Sequence, residues 1–366
     1  MYIYQDKNWP NFRWDTEVLL THVSRVRDLQ GRLIGRMEGM GFELREDAVL
    51  ETLTEDIVKT SEIEGELLNA EEVRSSVARR LGMDVSGLPA ASRDVEGVVE
   101  MMLDATQRFE APLTKERMCG WHAALFPTGR SGMHKITVGD WRQDDRGPKQ
   151  IVSGAMGREK IHYVAPDAPL MEAEMNQFIE WFNSDQRLEP VIKSAIAHLW
   201  FVSIHPFDDG NGRIARAIAD NQLARADRTN QRFYSMSAQI MKSKKEYYNI
   251  LESTQKGSLD VSQWLVWYFD RLSEALEATG SILSKVLAKA RFWEQHKMTQ
   301  FNDRQIMMIN KLYGNFVGKL HSSKWAKMTK VHRDTARRDI QDLIDKGVLL
   351  DSGEGGRSTN YILKKS

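Results

Sequence analysis

Twelve consecutive residues, His205-Pro206-Phe207-Asp208-Asp209-Gly210-Asn211-Gly212-Arg213-Ile214-Ala215-Arg216, bring together the side chains of this sequence best suited to act on a phosphate. An apolar helical run ends at His205, and the chain turns through Gly210-Asn211-Gly212 directly into another helical run. The glycines permit close approach and positive φ, so successive backbone N–H groups can converge on one concavity. The N-terminus of the following helix adds roughly half a positive charge at the same place, and that combination binds phosphate oxygens. Arg213 and Arg216, three residues apart, share a helix face and can reach back towards the anion. An acid among these cations makes sense as a metal ligand, which places Mg²⁺ at Asp209. His205 is the residue here that exchanges a proton near neutral pH, the property needed to activate a hydroxyl. Phe207 is expected to point inward and pin the loop. Each of these residues alone fits an ordinary structural role; the ordered string is the signal.

At every fixed position the string resembles the signature of the Fic family, His-x-Phe-x-Asp/Glu-Gly-Asn-Gly-Arg-x-x-Arg. Asp208 falls on a variable position. The resemblance implies a mainly α fold with a helical Fic core, an ATP–Mg²⁺ site, and transfer of AMP to Ser, Thr or Tyr of a protein target, which can be the chain itself. It gives His205 the role of base and Asp209 that of metal ligand. Gly210, Asn211 and Gly212 would form the anion-binding turn, and Arg213 and Arg216 would bind the polyphosphate. No Walker A or Rossmann fingerprint competes with this reading, and His205 has no zinc partner at ligand spacing, His198 lying inside the apolar helix.

Some members of the family carry an inhibitory helix with the pattern Ser/Thr-x-x-x-Glu-Gly/Asn. Thr60-Ser61-Glu62-Ile63-Glu64-Gly65 resembles it through Thr60, Glu64 and Gly65. The resemblance implies that Glu64 pairs with Arg216 and takes the space of the ATP γ-phosphate. Gln150–Val164 reads as strand, glycine-bearing turn and strand. It stands where family members place a flap that holds the target by strand pairing, with Ile151, Val152, Ile161 and Tyr163 as its docking residues. Tyr247, Tyr248 and Gln255 resemble the segment that frames adenine, although relatives often place Asn where Gln255 stands.

The elements that must position these groups are mostly helices. Val18, Leu19, Val23, Val26, Leu29, Leu33 and Met37 recur at helical spacing, and a second helix covers Glu46–Thr60. Turn chemistry at Gly82–Pro89 marks a boundary. Further helices are expected near Arg93–Phe109, Thr114–Leu125, Pro169–Asn183 and Pro190–Ile204, the last apolar nearly all round and therefore central in a bundle. Others follow from Asn211 or Gly212 to about Ala226, over Lys244–Thr254 and over Val261–Thr279. The reading divides the chain into an N-terminal helical region (1–85), the Fic core (86–290) and a C-terminal module (291–366).

That module runs through an apolar helix (Ile306–Tyr313), Ser322–Met328, a turn, Arg333–Lys346 and a glycine-tipped hairpin around Gly353–Arg357, the outline of a winged helix. Arg333, Arg337, Arg338 and Arg357 could meet DNA, while Asp334, Asp339, Asp342 and Asp345 oppose them. Such a module can equally serve as a homodimer contact or a dock for the target. The chain has 51 Lys and Arg against 51 Asp and Glu, so no global field advertises nucleic acid. One cysteine, Cys119, excludes an internal disulfide and reads as core filler. The absence of a visible signal peptide or a bilayer-length apolar run leads to the expectation of a cytoplasmic protein with no membrane partner. Two rival readings remain at this level: removal of AMP by the same site, with Glu64 positioning water, and a DNA-binding regulator with a non-catalytic Fic core.

Overall fold

The Asp15 carboxylate accepts hydrogen bonds from the N–H groups of Glu17 (2.9 Å) and Val18 (3.2 Å), starting the first long helix, α1 (Thr16–Glu38). The computed structural model describes all residues except 84–88, 145–146, 155–157, 185–187, 315, 317, 353–359 and 365–366. Helix α2 (Phe42–Ile63) follows, beginning four residues before the periodicity predicts and ending three after it. Asn69 caps α3 (Ala70–Arg80), a helix the sequence reading does not separate. Then come α4 (Arg93–Gln107) and α5 (Lys115–Leu125), the latter capped by the Thr114 hydroxyl.

Two short antiparallel pairs interrupt the helices. Strand β1 (Arg130–Ser131) pairs with β2 (His134–Lys135), and β3 (Gln150–Ser153) with β4 (Lys160–Val164). In the second pair Ile151 faces Tyr163 and Val152 faces Ile161, so His162 is taken up in a bulge. The turn expected at Gly154–Gly157 lies largely outside the described residues, as does most of the Gly82–Pro89 boundary.

Helix α6 (Met171–Asn183) leads to α7 (Pro190–Ile204), in which every residue from Val191 to Ile204 is buried. At roughly 1.5–3 kcal/mol for each fully buried large apolar side chain, this helix is a principal source of core stability. It packs along α8 (Asn211–Asp227), which leaves the loop at His205–Gly210. Helices α9 (Met236–Lys242), α10 (Lys244–Gln255) and α11 (Ser262–Gln295) follow. The expected end of α11 at Thr279 is corrected: Gly280 sits inside the helix, a cost of only about 1 kcal/mol that does not break it.

The chain divides into two compact units, Met1–Thr279 and Gly280–Ser366. The second holds α12 (Asp303–Tyr313), α13 (Ser322–Thr329), α14 (Arg333–Asp345) and an antiparallel hairpin of β5 (Leu349–Asp351) and β6 (Tyr361–Leu363). Its own core gathers Met308, Trp325, Ile340, Leu343 and Leu349. The wing candidate Gly353–Arg357, with Arg357, lies outside the described residues. No helix among the described residues is long and apolar enough to cross a membrane.

Candidate functional site

The site begins where α7 stops. His205 takes a left-handed conformation (φ 54°), ending the helix and turning the chain into the loop. Its Nδ1 lies 3.2 Å from the Val202 carbonyl oxygen. A carbonyl only accepts, so Nδ1 carries the hydrogen and Nε2 keeps its lone pair. Burial, with Lys149 and Arg142 nearby, pushes the imidazole down to about 3, so it is neutral at physiological pH. A neutral ring with a defined open nitrogen is the state a general base requires.

Four segments distant in sequence hold this loop. Phe207 is fully buried, its ring stacked on His122 of α5 at 4.2 Å and 7°. Arg142, itself buried, donates from Nε to the His205 carbonyl (2.8 Å) and from its backbone N–H to the Pro206 carbonyl (2.9 Å). Lys149 donates to the Asp208 carbonyl. Asp208 accepts from the Thr137 N–H (2.8 Å), giving that variable position a structural duty. None of His122, Arg142 and Lys149 is singled out by the sequence: each is a common residue type with no motif around it.

Asp209 accepts from the Ser131 hydroxyl with one oxygen and from the Gly210 N–H with the other (2.6 Å). Burial alone would raise its carboxyl; the Ser131 and Gly210 bonds, with Arg213 and Lys149, hold it below the usual range. It is therefore an ionised carboxylate beside the anion-binding turn, a donor that suits Mg²⁺ carried in on a polyphosphate. Among the described residues no cluster of three or more His, Cys, Asp or Glu could hold a metal alone.

Asn211 has a second duty in the loop. Its Oδ1 accepts from the Phe207 N–H (3.0 Å) and its Nδ2 donates to the Phe207 carbonyl (2.8 Å). The carboxamide staples the loop and is not turned towards an anion, so an anion contact from this residue falls to its backbone N–H. The first helical bond of α8 runs from Ile214 to Gly210 (3.0 Å), leaving the N–H groups of Asn211, Gly212 and Arg213 before it.

That cradle is met by a carboxylate. Glu64, at the end of α2, lies against Gly212 so closely that a β-carbon there would stand 2.2 Å from its Oε1. The same oxygen accepts from Arg216 Nη2 at 2.7 Å. Arg216 also donates to the Thr60 hydroxyl (2.6 Å) and the Thr60 carbonyl (2.9 Å). Gly65 follows at φ +88°, and the N–H groups of Gly65 and Glu66 return to the carbonyls of Glu62 and Ser61 (both 3.0 Å). This left-handed residue directly after the Glu64 cap closes the end of α2, which is why glycine stands there. Arg213 donates to Glu66 (2.5 Å). Both arginines are buried, and each retains a buried nitrogen, Arg213 Nε and Arg216 Nη1, with no acceptor among the described residues. Orphaned donors beside a helix N-terminus fit a polyanionic ligand.

The hairpin β3–β4 stands alongside. Val152 and Ile161, cross-strand partners, are 46% and 45% exposed, and Ile151 is half-buried. Tyr163 is not on that face: it is buried, and its hydroxyl donates to the Ser203 carbonyl (2.8 Å). The bulged His162 bridges the Ser153 hydroxyl (2.6 Å) and Glu252 of α10 (2.5 Å). Tyr247 and Gln255 are buried on α10, bonded to His198 (2.9 Å) and the Ser203 hydroxyl (3.2 Å) respectively. Half-exposed Tyr248 donates to the Ile63 carbonyl (3.2 Å), linking α10 to the end of α2. Burial raises the Cys119 thiol to about 11, as expected of a packing residue.

Residues 2–83 match the model of a domain of unknown function (DUF4172), and residues 112–223 match that of the Fic/DOC family. The protein adenylyltransferases Fic of Drosophila grimshawi and Aedes aegypti are each 32% identical over 114 residues, covering 30% of this chain and 22% of theirs. The chain thus matches only about a fifth of the length of these relatives. Among solved structures, a Fic family protein from Desulfovibrio desulfuricans superposes with a TM-score of 0.54 at 19% identity, covering 96% of this chain and 97% of that one. A Fic domain containing signaling protein from Bacteroides thetaiotaomicron gives 0.52 at 21% identity, covering 72% and 95%. These two share the fold. Residues 112–223, which contain the complete loop from His205 to Arg216, are thus similar to the Fic/DOC family, and the fold is shared with the two solved structures.

Proposed function

We propose that this protein transfers AMP from Mg-ATP to a Ser, Thr or Tyr hydroxyl of a protein, and that Glu64 holds it inactive. The observation that carries the reading is the Glu64 carboxylate lying in the phosphate cradle, against Gly212 and on Arg216. A carboxylate can rest there because the place is built for an anion. The terminal phosphate of ATP has the same requirement, so the two exclude each other.

With Glu64 withdrawn, the N–H groups at the start of α8 and the side chains of Arg213 and Arg216 bind the polyphosphate. Asp209 would hold the magnesium of the substrate complex, which would neutralise charge on the phosphate oxygens. His205 Nε2 takes the proton from the target hydroxyl. The oxygen forms a bond to the α-phosphorus, the bond from that phosphorus to the β-bridging oxygen breaks, and pyrophosphate leaves. The exposed edge at Val152 and Ile161 offers backbone and apolar contacts to an extended target segment.

The test is incubation of the wild-type, Glu64→Gly and Glu64→Gly/His205→Ala proteins with ATP and Mg²⁺, read by intact mass. The proposal expects addition of one AMP unit to Glu64→Gly at a rate more than tenfold above wild type, and none to the double variant. Equal rates with and without Glu64 would remove the brake. Equal addition with and without His205 would place the base elsewhere. If Glu64→Gly modifies neither itself nor a protein in a cell extract, the transfer reading fails.

A further inference from the structure

The zero net charge of the chain conceals a division. Residues 1–279 hold 34 Lys and Arg against 43 Asp and Glu, whereas residues 280–366 hold 17 against 8. The two units therefore carry −9 and +9, a difference invisible in the whole-chain composition. A small unit so strongly cationic repels itself, so the charge works against folding and suits a polyanionic partner.

The cations are placed as well as counted. Helix α14 buries Ala336, Ile340 and Leu343 and turns Arg333, Arg337 and Arg338 outward, all three exposed. Arg333 is the first residue of the helix, where the macrodipole favours an acid over a cation. The last turn of α13 adds exposed Lys327, and the turn before α14 adds exposed Lys330. The four aspartates of α14 do not cancel this face equally. Asp339 is only 5% exposed and is spent on Arg304, which donates to it from Nε (2.7 Å) and Nη2 (2.9 Å), and on Asn302 (3.0 Å). Asp342 accepts from Gln305 (2.7 Å) and Lys346 (2.5 Å) on the side towards α12. Asp345 is exposed at the far end of the helix. Asp334 is the acid left near the helix start, 3.8 Å from Arg337 and 3.3 Å from His332.

We infer that the unit Gly280–Ser366 binds duplex DNA with the N-terminal half of α14 as its reading element. The order α13, three-residue turn, α14 places a second helix with its first turns outward, the geometry that enters a major groove about 12 Å wide. Lys327 and Lys330 are disposed to meet phosphates, and the planar forks of Arg333 and Arg337 can pair with phosphate oxygens or the O6 and N7 of guanine. This binding is independent of the AMP-transfer chemistry.

The test uses the full chain and a fluorescein-labelled mixed-sequence duplex of about two helical turns, read by anisotropy. With about four phosphate contacts, affinity should fall roughly 100-fold between about 50 and 200 mM salt. Arg333→Gln/Arg337→Gln/Arg338→Gln should weaken binding at least tenfold at the lower salt and flatten the salt dependence by about one unit of slope per lost contact. Arg25→Gln/Arg32→Gln/Arg108→Gln, three exposed arginines of the other unit, should stay within about twofold of wild type. Far-UV circular dichroism establishes that both variants are folded; if the α14 triple is unfolded, Arg337→Gln alone should weaken binding at least twofold. Lack of duplex binding at low salt overturns the inference. So does equal weakening in the two triples, or tighter binding to single-stranded RNA or phosphatidylserine vesicles than to the duplex.

Discussion

The two units use the same residue type in opposite ways. In Met1–Thr279 the arginines that matter are buried: Arg213 and Arg216 are 3% and 2% exposed, each with a carboxylate and each with a nitrogen left over. In Gly280–Ser366 the side chains of the arginines on α14 face water, Arg337 at 61% exposure. A buried guanidinium is fixed before its ligand arrives, so its worth lies in direction. An exposed one keeps its freedom and contributes mostly long-range attraction, which salt weakens. The first arrangement suits a reaction that must align three atoms; the second suits a partner found by charge and then read.

The sharpest test of this contrast changes Arg to Lys in both places. Arg216 makes three hydrogen bonds from Nε and Nη2 while keeping Nη1 for an anion, a pattern no ammonium reproduces. In the Glu64→Gly background, Arg216→Lys should cut AMP transfer by more than about 100-fold, the scale of losing one oriented donor at a transition state. Arg333→Lys keeps the charge in an exposed place and should cost less than about threefold in duplex affinity. Comparable losses at the two positions would erase the distinction.

A smaller effect follows from the buried histidines of the first unit. His122 and His198 are 0% and 1% exposed, and burial pushes them down to about 4 and about 3. A histidine whose folded value is depressed stays neutral in the native state while the unfolded chain protonates near 6.5. The unfolded state then holds more protons, so stability is complete above that value and is lost as pH falls through it. From pH 8 to pH 6 the unit should lose about 1 kcal/mol for each of the two. Chemical denaturation of wild type and of His198→Gln measures this: the pH slope should be shallower in the variant, and an unchanged slope would show that His198 is not the source.

The loop from His205 to Arg216 was legible because its chemistry is contiguous. The same is true of α7, whose apolar residues surround the whole helix, and of the β3–β4 hairpin with its alternating pieces. Phe207 pointed inward as its type suggested. The supports were not legible. Arg142, Lys149, His122 and Ser131 reach the loop from segments roughly 55 to 85 residues away, and only the packed fold brings them there. The stapling by the Asn211 carboxamide was not legible for a related reason: the turn that brings the Phe207 backbone to both its atoms exists only in the packed fold. In the second unit the reading weighed four aspartates of α14 against its arginines, and periodicity alone did not show that Asp339 faces inward.

The least change that still separates anchoring from docking is Tyr163→Phe. The sequence placed Tyr163 with Ile151, Val152 and Ile161 on the target face of the hairpin, but its ring is buried under Tyr2 at 5.1 Å and Tyr4 at 6.1 Å. Its hydroxyl ties the root of the hairpin to Ser203, two residues before His205. Removing that oxygen forfeits one buried hydrogen bond and leaves the Ser203 carbonyl short of a donor, a loss of about 1 kcal/mol by chemical denaturation. Transfer to a protein target should then fall modestly, through a lower kcat with KM for the target unchanged, because the exposed edge at Val152 and Ile161 is untouched. A rise in target KM with kcat unaltered would mean that Tyr163 meets the target after all, and that the hairpin turns over on binding.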